Sequence, residues 1–214
     1  MITEELRQKM TRSWLRDGRP MGEKFAELAK LLINHFAIRK GESLYRMADI
    51  EFYYYCDSHR DIITYPRNCP PGTWFFHASG VDIAFESHVK ITEGSKKPHL
   101  THDAGFGGIL IRKIEKLTPN AFQVIDGPMK SCEELFDQFD AFGNVKGFPE
   151  LVPHEWQRIS PIVPNSRHGL NPDPGKKVKS ILAYNYKGTD IDKEVLIGEY
   201  ERFLDAEYAF RLNG

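Results

Sequence analysis

The sequence predicts an α+β fold with a mostly antiparallel sheet. Helical stripes sit near both ends of the chain, and short runs of β-formers fill the middle. Turn dipeptides join some of those runs, and no strand–helix–strand rhythm is present, so a wound parallel sheet is not expected.

Each element follows from its residues. Thr3 to Asp17 suits a helix that Gly18 stops. Glu23 to Phe36 carries Phe25, Leu28, Leu32 and Phe36 on one helical stripe with Ala29 beside it. Gly41 breaks that helix, and Leu44 to Tyr55 switches to β-formers. Thr73 to Glu86 reads as a hairpin turning at Ser79-Gly80. Gly107 to Leu117 reads as a strand. A helix starts at Pro128, which suits a first turn, with Cys132, Leu135, Phe136 and Phe139 as its apolar stripe. Gly143 to Pro174, rich in Pro, Gly and Asn, reads as long loops. Val178 to Tyr186 reads as a strand and Asp192 to Tyr208 as a closing helix. The 214 residues suit one domain, with helices over about 3–36 packed on the sheet.

Composition excludes several classes. Net charge is −1, so any nucleic-acid site must be a local patch rather than a basic face. The runs "EGSKKPH" and "GKKVK" are the small basic patches available for phosphates. Cys56, Cys69 and Cys132 form no Cys-x-x-Cys pair, which argues against a disulfide framework and a zinc ribbon. Among His59, His77, His88, His99 and His102 only "HLTH" is closely spaced, so no metal or other cofactor is expected. The charged N-terminus lacks the apolar core of a signal peptide, and no run is long enough to span a bilayer. The expectation is a cytoplasmic protein.

The stretch "YRMADIEFYYYC" carries the chemical signal. Side chains alternate along a strand, so Ala48, Ile50 and Phe52 share a core-like face. Asp49, Glu51, Tyr53 and Tyr55 share the other, and a carboxylate among aromatics suits a pocket wall. The hairpin repeats the pattern. Trp74, Phe76, Val81 and Ile83 point one way, while Phe75, His77, Asp82 and Glu86 point the other, with His77 opposite Asp82 in this register. Spacing alone also allows Glu51 to be a half-exposed strand residue paired with a lysine.

The ordered set "YRMADIEFY", "PRN", "PPGTWFFHASG", "GILIRKIEKL", "GPMKSCEEL", "SRHGL" and "LAYNYKG" resembles the alkyladenine (3-methyladenine) DNA glycosylase family. The resemblance runs from the second helix to about Gly188. It implies a curved, open-barrel-like antiparallel sheet flanked by helices. It also implies base-excision repair: a damaged nucleotide is flipped from DNA into a pocket and its N-glycosidic bond is hydrolysed with water and no metal. Glu51 then matches the general base, Arg112 the arginine that helps hold the water, and His168 the position whose backbone carbonyl holds the same water. Tyr53 matches the aromatic that stacks on the base, His77 the stacking residue of the hairpin and Glu86 the pocket asparagine. The pocket histidine aligns at Ser58 or His59. Ser79, Gly80 and Lys130 are the candidate DNA contacts, and the family's wedge tyrosine falls at Ser79 or is deleted.

Two expectations follow. Glu51, Tyr53, His77, Glu86 and Arg112 should line one pocket, where Glu86 would favour a cationic alkylated base. A hairpin tip without a large side chain should handle paired duplex poorly. The alternative is an altered or inactive family member that binds a nucleoside-like small molecule; no protein partner or membrane enters either reading.

Overall fold

A computed structural model describes residues 2–93, 97–119, 121–137, 147–157, 159–184, 186 and 192–213. In chain order the elements are α1 (Ile2–Lys9), α2 (Arg12–Leu15), α3 (Met21–His35), β1 (Phe36–Lys40), β2 (Ser43–Cys56), β3 (His59–Arg60), β4 (Trp74–His77), β5 (Gly80–Ala84), β6 (Lys90–Ile91), β7 (Pro98–His99), β8 (Gly105–Leu117), β9 (Phe122–Asp126), α4 (Pro128–Leu135), β10 (Glu150–Pro153), β11 (Ile162–Asn165), α5 (Pro174–Tyr184), α6 (Lys193–Leu204) and β12 (Ala209–Leu212). The fold is α+β, with a large antiparallel sheet that stays open.

The spine of the sheet is the long pair β2–β8. On its outer edge β2 pairs in turn with β1, β12 and β3, while β8 pairs on its other edge with β5 and β9. The spine thus has neighbours along most of its length, as two strands of 14 and 13 residues need if their backbone groups are to be paired. The register slips near Asp49: Met47 faces Ile114, Asp49 faces Lys113 and Ile50 faces Ile111. Ala48 and Arg112 are the extra residues of this irregularity, a feature that bends strands and re-aims side chains.

The alternation expected for β2 organises the packing. Ile50, Phe52, Ile109 and Ile111 are fully buried with Phe25, Leu28 and Leu32 of α3. Phe25 stacks on Phe52 at 4.7 Å between ring centres. Each such fully buried side chain contributes about 1.5–3 kcal/mol. Tyr55 and Phe106 belong to a second core with Val178 and Ile181 of α5 and Leu196, Tyr200 and Phe203 of α6.

Several sequence expectations are corrected. The first helix breaks at Met10, because the Thr11 side chain caps a new helix by accepting from the Trp14 amide. Val178 begins no strand and lies inside α5; Val178 and Ile181 both turn into the second core, at helical spacing. The last helix stops at Leu204, and Ala209–Leu212 forms a strand against β2 and β11. The expected loop region contains β10 and β11, while Phe139 and residues 143–146 lie outside the described residues. The hairpin turns at Ala78-Ser79, so His77 faces Gly80 and Phe75 faces Asp82. That slip of two leaves the side chains of the paired residues on their expected faces. Gly80 sits at φ 136°, and a Cβ there would lie 3.0–3.2 Å from Pro128 of α4. Among the described residues no helix is long and apolar enough to cross a membrane.

Candidate functional site

A row of side chains crosses five strands on the face opposite α3. Ala209 of β12 lies beside Glu51 of β2, then come Leu110 of β8, Asp82 of β5 and Phe75 of β4. Over this row lies a cleft of about 970 Å³. Its walls include Tyr53, Tyr65, Phe75, His77, Arg112, His168 and, from α5, Lys177, Ser180 and Ile181.

Glu51 is fully buried at the base of this region. Its Oε2 accepts the Tyr53 hydroxyl at 2.6 Å, and its Oε1 accepts the His168 main-chain N–H at 2.7 Å. Arg112 Nε stands 3.4 Å from Oε1. Burial and the neighbouring Glu51 charge hold the Tyr53 hydroxyl well above its usual pKa, so it stays a proton donor. Arg167 fixes Tyr53 from behind, with its guanidinium 4.6 Å from the ring centre. Arg167 is itself held by the buried Asp61 and by the carbonyls of Phe52 and Phe203.

A second buried acid, Asp82, is clasped from both sides. Arg67 Nη1 donates to Oδ2 at 2.7 Å, and His77 Nε2 lies 2.8 Å from Oδ1. The Ser79 amide donates to His77 Nδ1, which makes Nδ1 the acceptor and places the ring proton on Nε2. Burial works to raise the Asp82 pKa, but Arg67 and His77 outweigh it and hold the carboxyl low. Arg67 also stacks on Phe75 at 3.8 Å. Gly108 makes room for the clasp, since a Cβ there would lie 2.9 Å from Arg67 Nη1 and 3.0 Å from Asp82.

The structure brings Tyr53, His77, Arg112, His168 and Ser79 to the cleft, with Glu51 beneath them. It does not bring Glu86 or His59. After Ala84 the chain leaves the hairpin; Phe85 enters the α3 core, and the Glu86 carboxylate accepts the Arg12 amide at 2.8 Å, 74 residues away. His59 folds back on the outer edge of β2, where its ring packs against Phe25, Phe203 and Tyr208. Burial pushes its pKa down to about 4, so the ring stays neutral. The main chain of His168 meets Glu51 through its N–H, where the resemblance implies a carbonyl. Gly80 is buried against α4, and Lys130 is exposed on that helix.

Sequence reasoning missed the Arg67–Asp82 and Asp61–Arg167 pairs, although Arg67 and Arg167 stand in the stretches "PRN" and "SRHGL". It also missed Arg211, whose Nε is 2.9 Å from Asp49 Oδ2. The alternation in "AFRL" was the available signal.

No family model matches the chain, and no solved structure matches it. The chain is 26% identical over 129 residues to an uncharacterized protein of Acanthamoeba polyphaga mimivirus. That match covers 54% of this chain and 58% of the viral protein, so the chain spans little more than half the length of that relative.

Proposed function

We propose that this chain hydrolyses the N-glycosidic bond of an alkylated purine in damaged DNA, with Glu51 activating the water. The observation that carries the reading is a fully buried carboxylate under an aromatic-lined cleft, with an arginine 3.4 Å away. A purine extruded from DNA needs flat, apolar walls, and Tyr53, Tyr65, Phe75 and His77 offer them; base–aromatic stacking contributes about 1–3 kcal/mol per base. As the bond breaks, the sugar gains oxocarbenium character, and a nearby carboxylate takes the water's proton and stabilises the positive charge. Arg112 joins the cleft to Glu51: it lines the cleft at 22% side-chain exposure, with its Nε 3.4 Å from Oε1. Lys177 of the "GKKVK" run also lines the cleft, where a phosphate would pass.

The acid expected at the pocket wall is Asp82 instead of Glu86, and Arg67 neutralises it. Preference for a cationic base therefore has to come from the aromatic faces, as in cation–π contacts.

One observation favours a second reading, a binding pocket without hydrolysis: Glu51 is closed off from solvent and already holds two donors. An excision assay separates the two. Oligonucleotides carrying 3-methyladenine, hypoxanthine or ethenoadenine are offered in duplex and in single strand, at matched salt. Release of a free base that Glu51→Gln abolishes supports the hydrolase, with faster release from single strands expected. Saturable binding of these strands without release supports the binding pocket.

A further inference from the structure

We propose that the imidazole of His168 is a second catalytic group, the proton donor to the departing base, and that Asp49 is its positioning residue. The inference rests on the N-glycosidic reading above and adds the step that the reading lacks. A purine made cationic by alkylation leaves as a neutral molecule. An uncharged purine leaves as an anion unless a proton reaches it, so a positioned acid matters far more for that class.

The geometry places His168 for that task. Its main-chain N–H donates to Glu51 Oε1, so the backbone of His168 is anchored next to the proposed base. The side chain is 38% exposed, and the residue lines the cleft. Ring Nε2 lies 3.5 Å from Asp49 Oδ2, an oxygen that Arg211 Nε also meets at 2.9 Å, and Nδ1 is the nitrogen left to meet a ligand. Asp49 is 8% exposed at its side chain, and its Oδ1 is buried with no hydrogen-bond partner among the described residues. A buried, unpartnered carboxylate oxygen carries a desolvation cost, and a functional task is one reason for a fold to keep it.

Burial and the surrounding charges shift both groups from their usual values. Burial pushes Asp49 up to about 6, with Arg211, Arg112 and Lys113 opposing and Glu51 assisting. Burial, Arg112 and Arg211 push His168 down from its usual value, against Glu51 and Asp126. The lowered His168 imidazolium releases its proton more readily, which suits a donor.

The balance is that of one water molecule. The water oxygen bonds to the sugar carbon, and Glu51 takes one of its protons. The glycosidic electron pair goes to the base nitrogen, and His168 delivers a proton to the leaving purine. Glu51 then loses its proton to solvent, and His168, 38% exposed, regains one from solvent.

The test compares release of hypoxanthine, a neutral base, with release of 3-methyladenine, a cationic one. His168→Gln keeps the main-chain N–H on Glu51 and removes the titrating ring. Its hypoxanthine rate is expected to fall by about 10²-fold, and the ratio of hypoxanthine to 3-methyladenine rates by about tenfold or more. Asp49→Asn is expected to lower the His168 pKa seen by ring NMR, and to move the alkaline limb of hypoxanthine release to lower pH. Equal losses on both bases, or no loss on hypoxanthine, overturn the donor role. A His168 titration unchanged in Asp49→Asn overturns the positioning role. A parent protein that releases neither base fails the N-glycosidic reading and this inference with it, whereas an active parent with an indifferent His168→Gln fails the inference alone.

Discussion

Glu51 and Asp82 lie on one face of one sheet, with Leu110 between them, and both are buried. They are held in opposite ways. Asp82 is saturated: Arg67 and His77 take one oxygen each, Phe75 covers the arginine, and Gly108 leaves room for the clasp. Glu51 accepts two uncharged donors, a phenol and a main-chain amide, and its arginine stands at 3.4 Å. A saturated acid holds walls in place. An acid whose paired arginine stands at 3.4 Å keeps capacity for a new partner. We therefore read Asp82 as the structural acid and propose Glu51 as the chemical one.

Three substitutions sharpen that contrast. The largest effect on stability belongs to Asp82→Ala, which leaves Arg67 charged and buried without its partner. Breaking a buried pair from one side costs about 3–5 kcal/mol, read as a shift in the urea midpoint. Asp82→Ala unfolding at the parental midpoint would contradict the structural role. Next comes Tyr53→Phe. It removes a hydroxyl donor to a charged group, with an expected loss of about 1.5–3 kcal/mol and no change in secondary structure by circular dichroism. The smallest effect concerns Asp49. Burial raises its folded pKa to about 6, above an unfolded value of roughly 3.9. The folded state therefore binds this proton more tightly, and stability from this group falls as pH climbs from about 4 to about 6. Asp82, held low, has the opposite sign: its contribution is present above roughly pH 4 and is lost as pH falls through its folded pKa. In Asp49→Asn the decline between about pH 4 and 6 should flatten, while the acid-side loss due to Asp82 remains. A thermal-melt series across pH 3 to 8 reads both.

The same contrast explains what was legible in the sequence. The two faces of β2 follow from alternation, so the amino-acid order alone separates Glu51 from Ile50 and Phe52. The hairpin faces were legible for the same reason, and its two-residue slip in register did no harm. What failed was whatever tertiary contact decides. Glu86 has the parity of a pocket residue, but the strand ends at Ala84 and the N-terminal segment captures its carboxylate through the Arg12 amide. The run over Val178 to Tyr184 is rich in β-formers, yet its apolar positions 178 and 181 fit a helix packed on a second core. Ala209–Leu212 is too short to announce itself as a strand, and it exists because the middle of β2 offers a free edge. The clasp of Arg67 on Asp82 links two residues 15 positions apart, and no local pattern encodes it.

The most direct test of the central claim pairs Glu51→Gln with the parent in single-turnover excision of 3-methyladenine from DNA. Gln is nearly isosteric with Glu and cannot take the water's proton. The expected result is a parental melting profile, retained DNA binding and a rate lower by about 10²-fold or more. Excision at the parental rate by folded Glu51→Gln would contradict the role of Glu51 as the base.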